Sequence, residues 1–131
     1  MTRRELDDSA PVLRAQGLYY VATGAAPFLS RRAFEAVTGR KRDWWLVETV
    51  GGVVAVAGGT LLSAVRAGRV TPETVALAAG SAATLAAVDL VYVARRRIAP
   101  TYLLDGAAQL ALLGALGHRL RNGGGVRRST R

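Results

Sequence analysis

Two long apolar runs that contain almost no charge constrain this sequence more than any other feature. The stretch 46–65 carries one charged residue, Glu48, and the stretch 74–93 also carries one, Asp89. A helix of about 20 residues crosses the hydrocarbon core of a bilayer, which is about 30 Å thick. Neither stretch alternates with a period of two, and neither has the wide polar face of a soluble amphipathic helix. Both are therefore predicted to cross a membrane.

Two further apolar runs, at about 12–29 and 101–117, are shorter or less pure, and the first carries Arg14 and Gln16. Together with the two stronger runs they give four spans, an even number that makes a compact bundle. The predicted fold is all-α: a membrane-embedded four-helix up-down bundle that forms one domain over residues 1–131. A soluble Ala-rich domain is the alternative, but it would have to hide two wholly apolar helices inside a short chain. The helices are expected at about 12–29, 44–65, 74–93 and 101–117.

Boundary signals support these limits. Thr71 and Pro72 provide an N-cap hydroxyl and a first-turn proline, and Pro11 suits a first turn equally well. The segment Ser30–Arg42 has two interpretations that the sequence leaves open: a short helix lying among lipid headgroups, or an unstructured basic loop. The stretch 119–131, rich in glycine and arginine, is predicted to be a disordered basic tail.

Composition removes most enzyme chemistry. The chain has no cysteine and one histidine, His118, which excludes disulfides, thiol catalysis and multi-histidine metal sites. Carboxylates alone could hold Mg²⁺ or Ca²⁺, but nothing in their spacing demands it. No paired nucleophile and base is visible. The chain is therefore predicted to be non-enzymatic, without a metal or another cofactor.

The net charge of +9 comes from basic residues that bracket the apolar runs. This placement suits contacts with anionic lipid headgroups better than a nucleic-acid-binding face, so nucleic acid is not an expected partner. Six aromatic residues resemble the aromatic belt of a membrane interface: Trp44, Trp45, Tyr19, Tyr20, Tyr92 and Tyr102. The predicted location is the inner (plasma) membrane, with both termini on the same, cytoplasmic side. A second copy of the chain is an open alternative as a partner.

Three acidic residues lie inside the apolar runs, and successive hairpins would bring all three near one membrane surface. These are Glu48, Asp89 and Asp105. They are predicted to meet in a shallow polar cluster that binds a proton, a cation or a polar headgroup. In the alternative, each acid pairs with a loop arginine and only fixes a helix end. The remaining candidate members of the cluster are Gln109, Tyr92 and Tyr102.

Small residues share a helical stripe with Glu48. Gly52, Ala55 and Gly59 follow it at helical spacing, and such residues let membrane helices approach closely. This stripe is therefore predicted to be a helix-packing surface. The first apolar run offers a polar face of its own, formed by Gln16, Tyr20, Thr23 and Pro27.

Three segments resemble the small, uncharacterised four-helix integral membrane proteins of bacteria. They read FEAVTG-x-K-x-D-x-WLV at 34–47, AVD-x-VYV at 87–93 and I-x-P-x-YL-x-D at 98–105. A looser similarity, in architecture only, is to DoxX-like proteins. The resemblance implies a four-helix membrane arrangement but no specific activity. Small multidrug transporters have a similar length, but their defining acid lies in the first helix, where this chain has Gln16.

These features favour a non-enzymatic bacterial inner-membrane protein with a shallow polar ligand or interaction site. The alternative is a small proton-coupled transporter that uses Glu48, Asp89 or Asp105. A membrane enzyme acting on lipid or quinone is the weakest hypothesis, because its candidate groups are only carboxylates and tyrosines. Acids facing a water-accessible cavity would favour transport, and acids bound to arginines would favour the leading hypothesis.

Overall fold

The computed structural model describes residues 1–125. Over this range the chain is all-helical, with five helices and no strand. Four helices are long, and α2 is a short helix between the first two of them. The helices are α1 (Arg3–Leu29), α2 (Arg31–Thr38), α3 (Trp44–Arg66), α4 (Pro72–Ala94) and α5 (Tyr102–Gly125).

Helix α1 begins at Arg3, well before the predicted start near residue 12. Thr2 and Glu5 form a capping box, in which each side chain bonds the other residue's backbone N–H. Leu6 is only 6% exposed and extends the buried face of α1 towards its N-terminus. The sequence-based start was placed at Pro11, which instead lies inside the helix.

Helix α5 runs to Gly125, so residues 119–125 are helical rather than part of a disordered tail. Leu116 and Leu120 are four residues apart and continue an apolar stripe against the core. Gly123 lies so close to α1 that a methyl group there would be 2.9 Å from Cγ of Glu5. Tertiary packing thus outweighs the weak helix preference of the glycines. The rest of the predicted tail, residues 126–131, lies outside the described residues.

The segment after α1 forms a helix, which decides between its two interpretations. Ser30 caps α2 by accepting a hydrogen bond from the Ala33 N–H, at 3.1 Å. Gly39 ends it with φ of +87°, a conformation that glycine adopts readily. The Thr101 hydroxyl donates to the Val37 carbonyl at 2.8 Å. This bond ties α2 to the turn before α5.

Helices α1 and α3 pack antiparallel along four glycines, which we call the glycine seam. Gly17 faces Gly58, and Gly24 faces Gly51. A methyl group at Gly24 would lie 2.5 Å from the Gly51 carbonyl oxygen, and one at Gly58 would lie 2.7 Å from the Gly17 carbonyl oxygen. Only residues without a side chain allow two backbones to approach this closely.

The predicted packing stripe is one residue out of register with this seam. Ala55 does contact α1, because its backbone lies against Gly24. Gly52 makes only an ordinary contact with Phe28, and a methyl group at Gly59 would meet no atom within 4 Å in the described part of the chain. The glycines of α3 occur in adjacent pairs, so two stripes about 100° apart fit the same spacing. The stripe through Glu48 was the wrong one of the two.

An aliphatic core fills the end of the molecule that contains the α3–α4 turn. We call it the aliphatic end. Leu13 and Leu61 are fully buried there, and Val75 at the start of α4 is 4% exposed. Apolar burial of this kind is the main stabilising contribution in the fold. The other buried members are Leu6, Val12, Val70, Ala78 and Leu116.

Helices α3 and α4 are each long and apolar enough to cross a membrane. Their apolar residues do not mainly face the protein interior, because only 17% of the apolar window in α3 and 28% of that in α4 is buried by the chain itself. Val53 and Val56, for example, are 65% and 70% exposed. The core helix of a soluble protein would instead be mostly buried.

Candidate functional site

Two carboxyl groups meet where α4 and α5 pack antiparallel. Asp89 lies near the end of α4 and Asp105 near the start of α5, and the two carboxyl groups are close enough to interact electrostatically. Gly106, beside Asp105, faces Asp89, because a methyl group there would make an ordinary contact with Cβ of Asp89, at 3.4 Å. The short α4–α5 connection therefore brings together two acids that lie far from the aliphatic end.

Helix α1 contributes two tyrosines to this site. The Tyr19 hydroxyl donates a short hydrogen bond to Oδ1 of Asp105. The Tyr20 hydroxyl donates to Oε1 of Gln109 at 2.7 Å, and Nε2 of Gln109 donates to Oδ1 of Asp105 at 3.3 Å. We call these four residues, together with Asp89, the carboxyl cluster. Its hydrogen bonds join α1 to α5, with Asp105 accepting from both neighbours.

Tyr20, Asp89 and Gln109 of the cluster are buried and Tyr19 and Asp105 are partly buried, and no side chain of residues 1–125 forms an ion pair with either aspartate. Asp89 is 5% exposed and Gln109 is 1% exposed. Within residues 1–125 neither aspartate forms an ion pair, and Oδ2 of Asp89 is a buried atom without a hydrogen-bond partner. An unpaired carboxylate in an apolar interior is strongly unfavourable. The site therefore suits an additional proton or another small positive species.

Gln16 extends the polar surface of α1 towards the aliphatic end. Its side chain is 1% exposed, and its Nε2 donates to the Ala78 carbonyl of α4 at 2.8 Å. Gln16 lies one turn before Tyr20, so the two residues share a face, as the sequence predicted. This face joins α1 to α4 and α5 by hydrogen bonds, whereas the glycine seam joins α1 to α3.

The structure assembles only part of the predicted cluster. It brings Asp89, Asp105 and Gln109 together but gives Glu48 a local partner, since Trp44 Nε1 donates to Oε1 of Glu48 at 3.1 Å. Glu48 shares its face with Gly52 and Gly59, which also lie off the glycine seam. Two predicted tyrosines are elsewhere: Tyr92 is 42% exposed, and the Tyr102 ring lies 5.1 Å from Nζ of Lys41.

Sequence reasoning placed Tyr19 and Tyr20 in an interface belt, and Tyr20 also on a polar face, but joined neither to the acids. A usable signal existed, because the first helix carries adjacent tyrosines well inside its apolar run. Tyrosines at an interface belt are expected near helix ends, whereas these lie towards the middle of α1. A buried tyrosine hydroxyl needs a polar partner, which points to the acids on the other helices.

A groove of about 540 Å³ runs between α3 and α4 and is almost wholly apolar. It exists because these two helices barely touch, while α1 packs closely on α3. Tyr20 lies in its wall and so belongs to both the groove and the carboxyl cluster. The other lining residues include Val50, Val53, Leu77, Gly80 and Thr84.

Within the described part of the chain, no three residues of the His, Cys, Asp and Glu types are arranged to hold a metal ion. Two carboxylates without a third ligand favour a proton or a weakly held cation over a structural metal. No family model, curated protein or solved structure matches this chain.

Proposed function

We propose that this chain is a non-enzymatic integral protein of the bacterial inner membrane, in which α1, α3, α4 and α5 cross the bilayer as an up-down bundle. Both termini would then lie on the cytoplasmic side. The outward-facing apolar surface of α3 and α4 supports this location. Kinship with the small four-helix bacterial membrane proteins, loosely DoxX-like in architecture, is part of the proposal.

The length and packing of α1 and α5 support the proposal that these two helices also cross the bilayer. The helices have 27 and 24 residues, and at about 1.5 Å per residue each is long enough to span the hydrocarbon core. Helix α1 packs against α3 along the glycine seam, and this packing supports a crossing of α1 beside α3. Leu18 on α1 and Leu110 on α5 are 58% and 49% exposed, which suits contact with lipid.

In this proposal, the site within the membrane is a proton-binding carboxyl pair. One observation carries it: Asp89 is buried beside Asp105, and no cation accompanies them in the described residues. Two ionised carboxylates side by side in a low-dielectric interior repel each other and lose their hydration. A single proton between them removes the repulsion and gives the unpartnered oxygen of Asp89 a hydrogen-bond partner.

Infrared spectroscopy of the full chain in lipid tests this site, because a protonated carboxyl has its own carbonyl stretch. We expect this band to be present at neutral pH and to disappear in both Asp89→Asn and Asp105→Asn. Glu48→Gln is the matched control, since Glu48 bonds only to Trp44 and should leave the band unchanged. A band absent at neutral pH, or lost only in Glu48→Gln, would overturn the proton site.

Reporter fusions at the two ends of the chain test the membrane arrangement separately. Four crossings place both ends on the same side of the membrane, and the proposal puts that side in the cytoplasm. Reporters on opposite sides would contradict the four crossings. Both reporters outside would reverse the orientation while leaving the bundle intact.

The groove between α3 and α4 gives a specific reason to retain a proton-coupled transporter as the second candidate. Tyr20 lines the groove and donates to Gln109, which donates in turn to Asp105. A bound molecule that moved Tyr20 would change the hydrogen bonds available to the carboxyl pair. Proton flux in reconstituted vesicles distinguishes the candidates: a transporter releases protons down a gradient when its substrate is supplied, and Asp89→Asn stops that flux.

A further inference from the structure

The segment that joins α2 to α3 folds back on α2 and encloses a strongly basic pocket. The pocket has a volume of about 580 Å³ and lies at the opposite end of the molecule from the aliphatic end. Its lining contains four basic side chains and one acidic side chain, so its formal charge is strongly positive. These residues are Arg31, Glu35, Arg40, Lys41 and Arg42.

The single acidic side chain is already occupied. Oε1 of Glu35 accepts from the Lys41 backbone N–H at 3.1 Å and from Nε of Arg31 at 3.2 Å. These bonds hold the pKa of Glu35 below its usual value, and the bond from the Lys41 backbone has the largest effect on that pKa. Lys41 is engaged as well, since Nζ donates to the Thr38 carbonyl at 2.6 Å. Glu35 thus organises the pocket without neutralising it.

Two arginines remain available for a ligand. The side chains of Arg40 and Arg42 are exposed, and across residues 1–125 neither guanidinium makes an ion pair or a side-chain hydrogen bond. A guanidinium presents a planar set of N–H donors that matches the oxygens of a phosphate group. The pocket therefore has a hydrogen-bonded floor and two guanidinium groups available for a phosphate.

The surroundings of the pocket indicate where that phosphate comes from. The Arg31 guanidinium lies 4.7 Å from the ring centre of Trp44, and Phe34 meets the same ring edge-on. Leu29, at the end of α1 just before α2, and Trp45, in the first turn of α3, are 84% and 67% exposed. Exposed apolar and aromatic side chains next to cationic groups are typical of the membrane interface.

We infer that this pocket binds the phosphate of an anionic phospholipid headgroup through Arg40 and Arg42, with Arg31 and Lys41 adding positive charge. The inference rests on the proposed membrane location and is independent of the Asp89–Asp105 pair. The exposed apolar side chains beside the pocket would contact the acyl chains. The pocket thereby fixes α2 at the headgroup level of one leaflet.

The test titrates the full chain in detergent with phosphatidylglycerol, and separately with phosphatidylcholine and with inorganic phosphate. The only tryptophans, Trp44 and Trp45, lie beside the pocket and report binding by fluorescence. We expect tighter binding of phosphatidylglycerol than of phosphatidylcholine. At about five-fold per arginine, Arg40→Gln/Arg42→Gln should weaken phosphatidylglycerol binding about 25-fold.

Arg66→Gln/Arg69→Gln is the matched control, because it removes the same charge from exposed residues at the α3–α4 turn. It should leave phosphatidylglycerol binding within about two-fold of wild type, since charges beyond a Debye length of about 8–10 Å are screened. Equal losses in the two double variants would overturn the pocket in favour of general charge attraction. Equal affinity for the two lipids would overturn it as well, and tighter binding of inorganic phosphate than of lipid would replace the lipid with a free anion.

Other outcomes separate this inference from the proposed function. If the terminal reporters lie on opposite sides, the four-crossing arrangement fails whatever the lipids do. If lipid discrimination is absent while the reporters agree, only the pocket fails. Asp89→Asn should leave lipid binding unchanged, because the pocket and the carboxyl cluster share no residue. A large change in lipid binding in Asp89→Asn would contradict that independence.

Discussion

The two ends of the molecule differ in the side chains that they bury, which are mainly aliphatic at one end and polar in the carboxyl cluster at the other. At the aliphatic end, most of the buried side chains are apolar, among them Leu13 and Leu61, and the buried Ser9 hydroxyl bonds a backbone carbonyl of its own helix. In the carboxyl cluster, the buried positions hold Asp89 and Gln109 instead, and Gln109 accepts a hydrogen bond from Tyr20 of α1. Helices α1, α4 and α5 contribute to both ends, so the difference lies in the side chains and not in the fold.

This difference distinguishes the region that stabilises the fold, the aliphatic end, from the region that carries the proposed function, the carboxyl cluster. Close apolar packing is favourable without any further partner. A buried carboxyl pair is unfavourable unless a proton or a cation completes it. Leucine or alanine at residues 89 and 105 would serve stability better than aspartate. In the proposed function, the carboxyl cluster exchanges stability for the capacity to bind a proton.

The largest predicted effect is at the aliphatic end. Leu61→Ala removes a fully buried side chain and should lower the free energy of unfolding by about 2–5 kcal/mol. Val53→Ala, on the same helix but 65% exposed, should change it by less than about 0.5 kcal/mol. Thermal unfolding in detergent, followed by circular dichroism, measures both. Similar losses of unfolding free energy in the two variants would show that α3 presents a different face to the core.

The glycine seam should give the next largest effect. Gly24→Ala places a methyl group 2.5 Å from the Gly51 carbonyl oxygen, so α1 and α3 have to separate. Overpacking of this kind costs about 1–3 kcal/mol. Gly59→Ala, where a methyl group meets no atom within 4 Å, is the matched control and should be nearly neutral. A destabilising Gly59→Ala with a neutral Gly24→Ala would restore the stripe first predicted from the sequence.

A smaller effect is expected in the carboxyl cluster. Tyr20→Phe removes the hydroxyl that donates to Gln109 at 2.7 Å while preserving the ring. The expected loss of stability is about 1 kcal/mol, the usual net contribution of a hydrogen bond. Tyr92→Phe removes a hydroxyl from a residue that is 42% exposed and should have no measurable effect. If Tyr20→Phe costs as much as Leu61→Ala, the contrast between the two ends is wrong.

The smallest effect concerns pH and lies outside both ends, at Glu35. The bonds from the Lys41 N–H and from Arg31 lower the pKa of this carboxyl. Because the folded pKa is the lower one, the contribution of Glu35 is fully present above its unfolded pKa, about 4.3, and is lost as the pH falls through the folded pKa. Acidification should therefore loosen α2 and change Trp44 fluorescence. Glu35→Gln should abolish that change, and a change that persists in this variant would assign it to another group.

Much of the helical architecture could be predicted because its signals are local. The limits of α3 and α4 followed from apolar runs and from the cap at Thr71. The start of α1 also carries a local signal, the capping box at Thr2 and Glu5, which the search for apolar runs overlooked. The end of α5 carries none, because it is stabilised by tertiary packing of Gly123 against Glu5. Long-range contacts of this kind leave no periodic signal in either segment.

The sequence predicted the level of the acidic residues along their helices, but not the direction in which Glu48 faces on α3. Hairpin topology correctly brought Asp89 and Asp105 to the same level, where the structure joins them. Glu48 lies on a helix whose rotation depends on which glycines meet α1. Adjacent glycines made two rotations equally consistent with the sequence, and a turn of about 100° separates them. That choice is settled by close backbone contact, which sequence spacing does not reveal.

The proposed function depends on Asp89 and Asp105 forming one proton-binding unit. Carbon-13 NMR of the Asp89 carboxyl in lipid, as a function of pH, tests this in the wild type and in Asp105→Asn. Coupled carboxyls lose their protons in two steps that belong to the pair, so Asp89 should show two steps in the wild type and one in the variant. Superimposable titration curves of Asp89 in the two proteins would contradict the proposal.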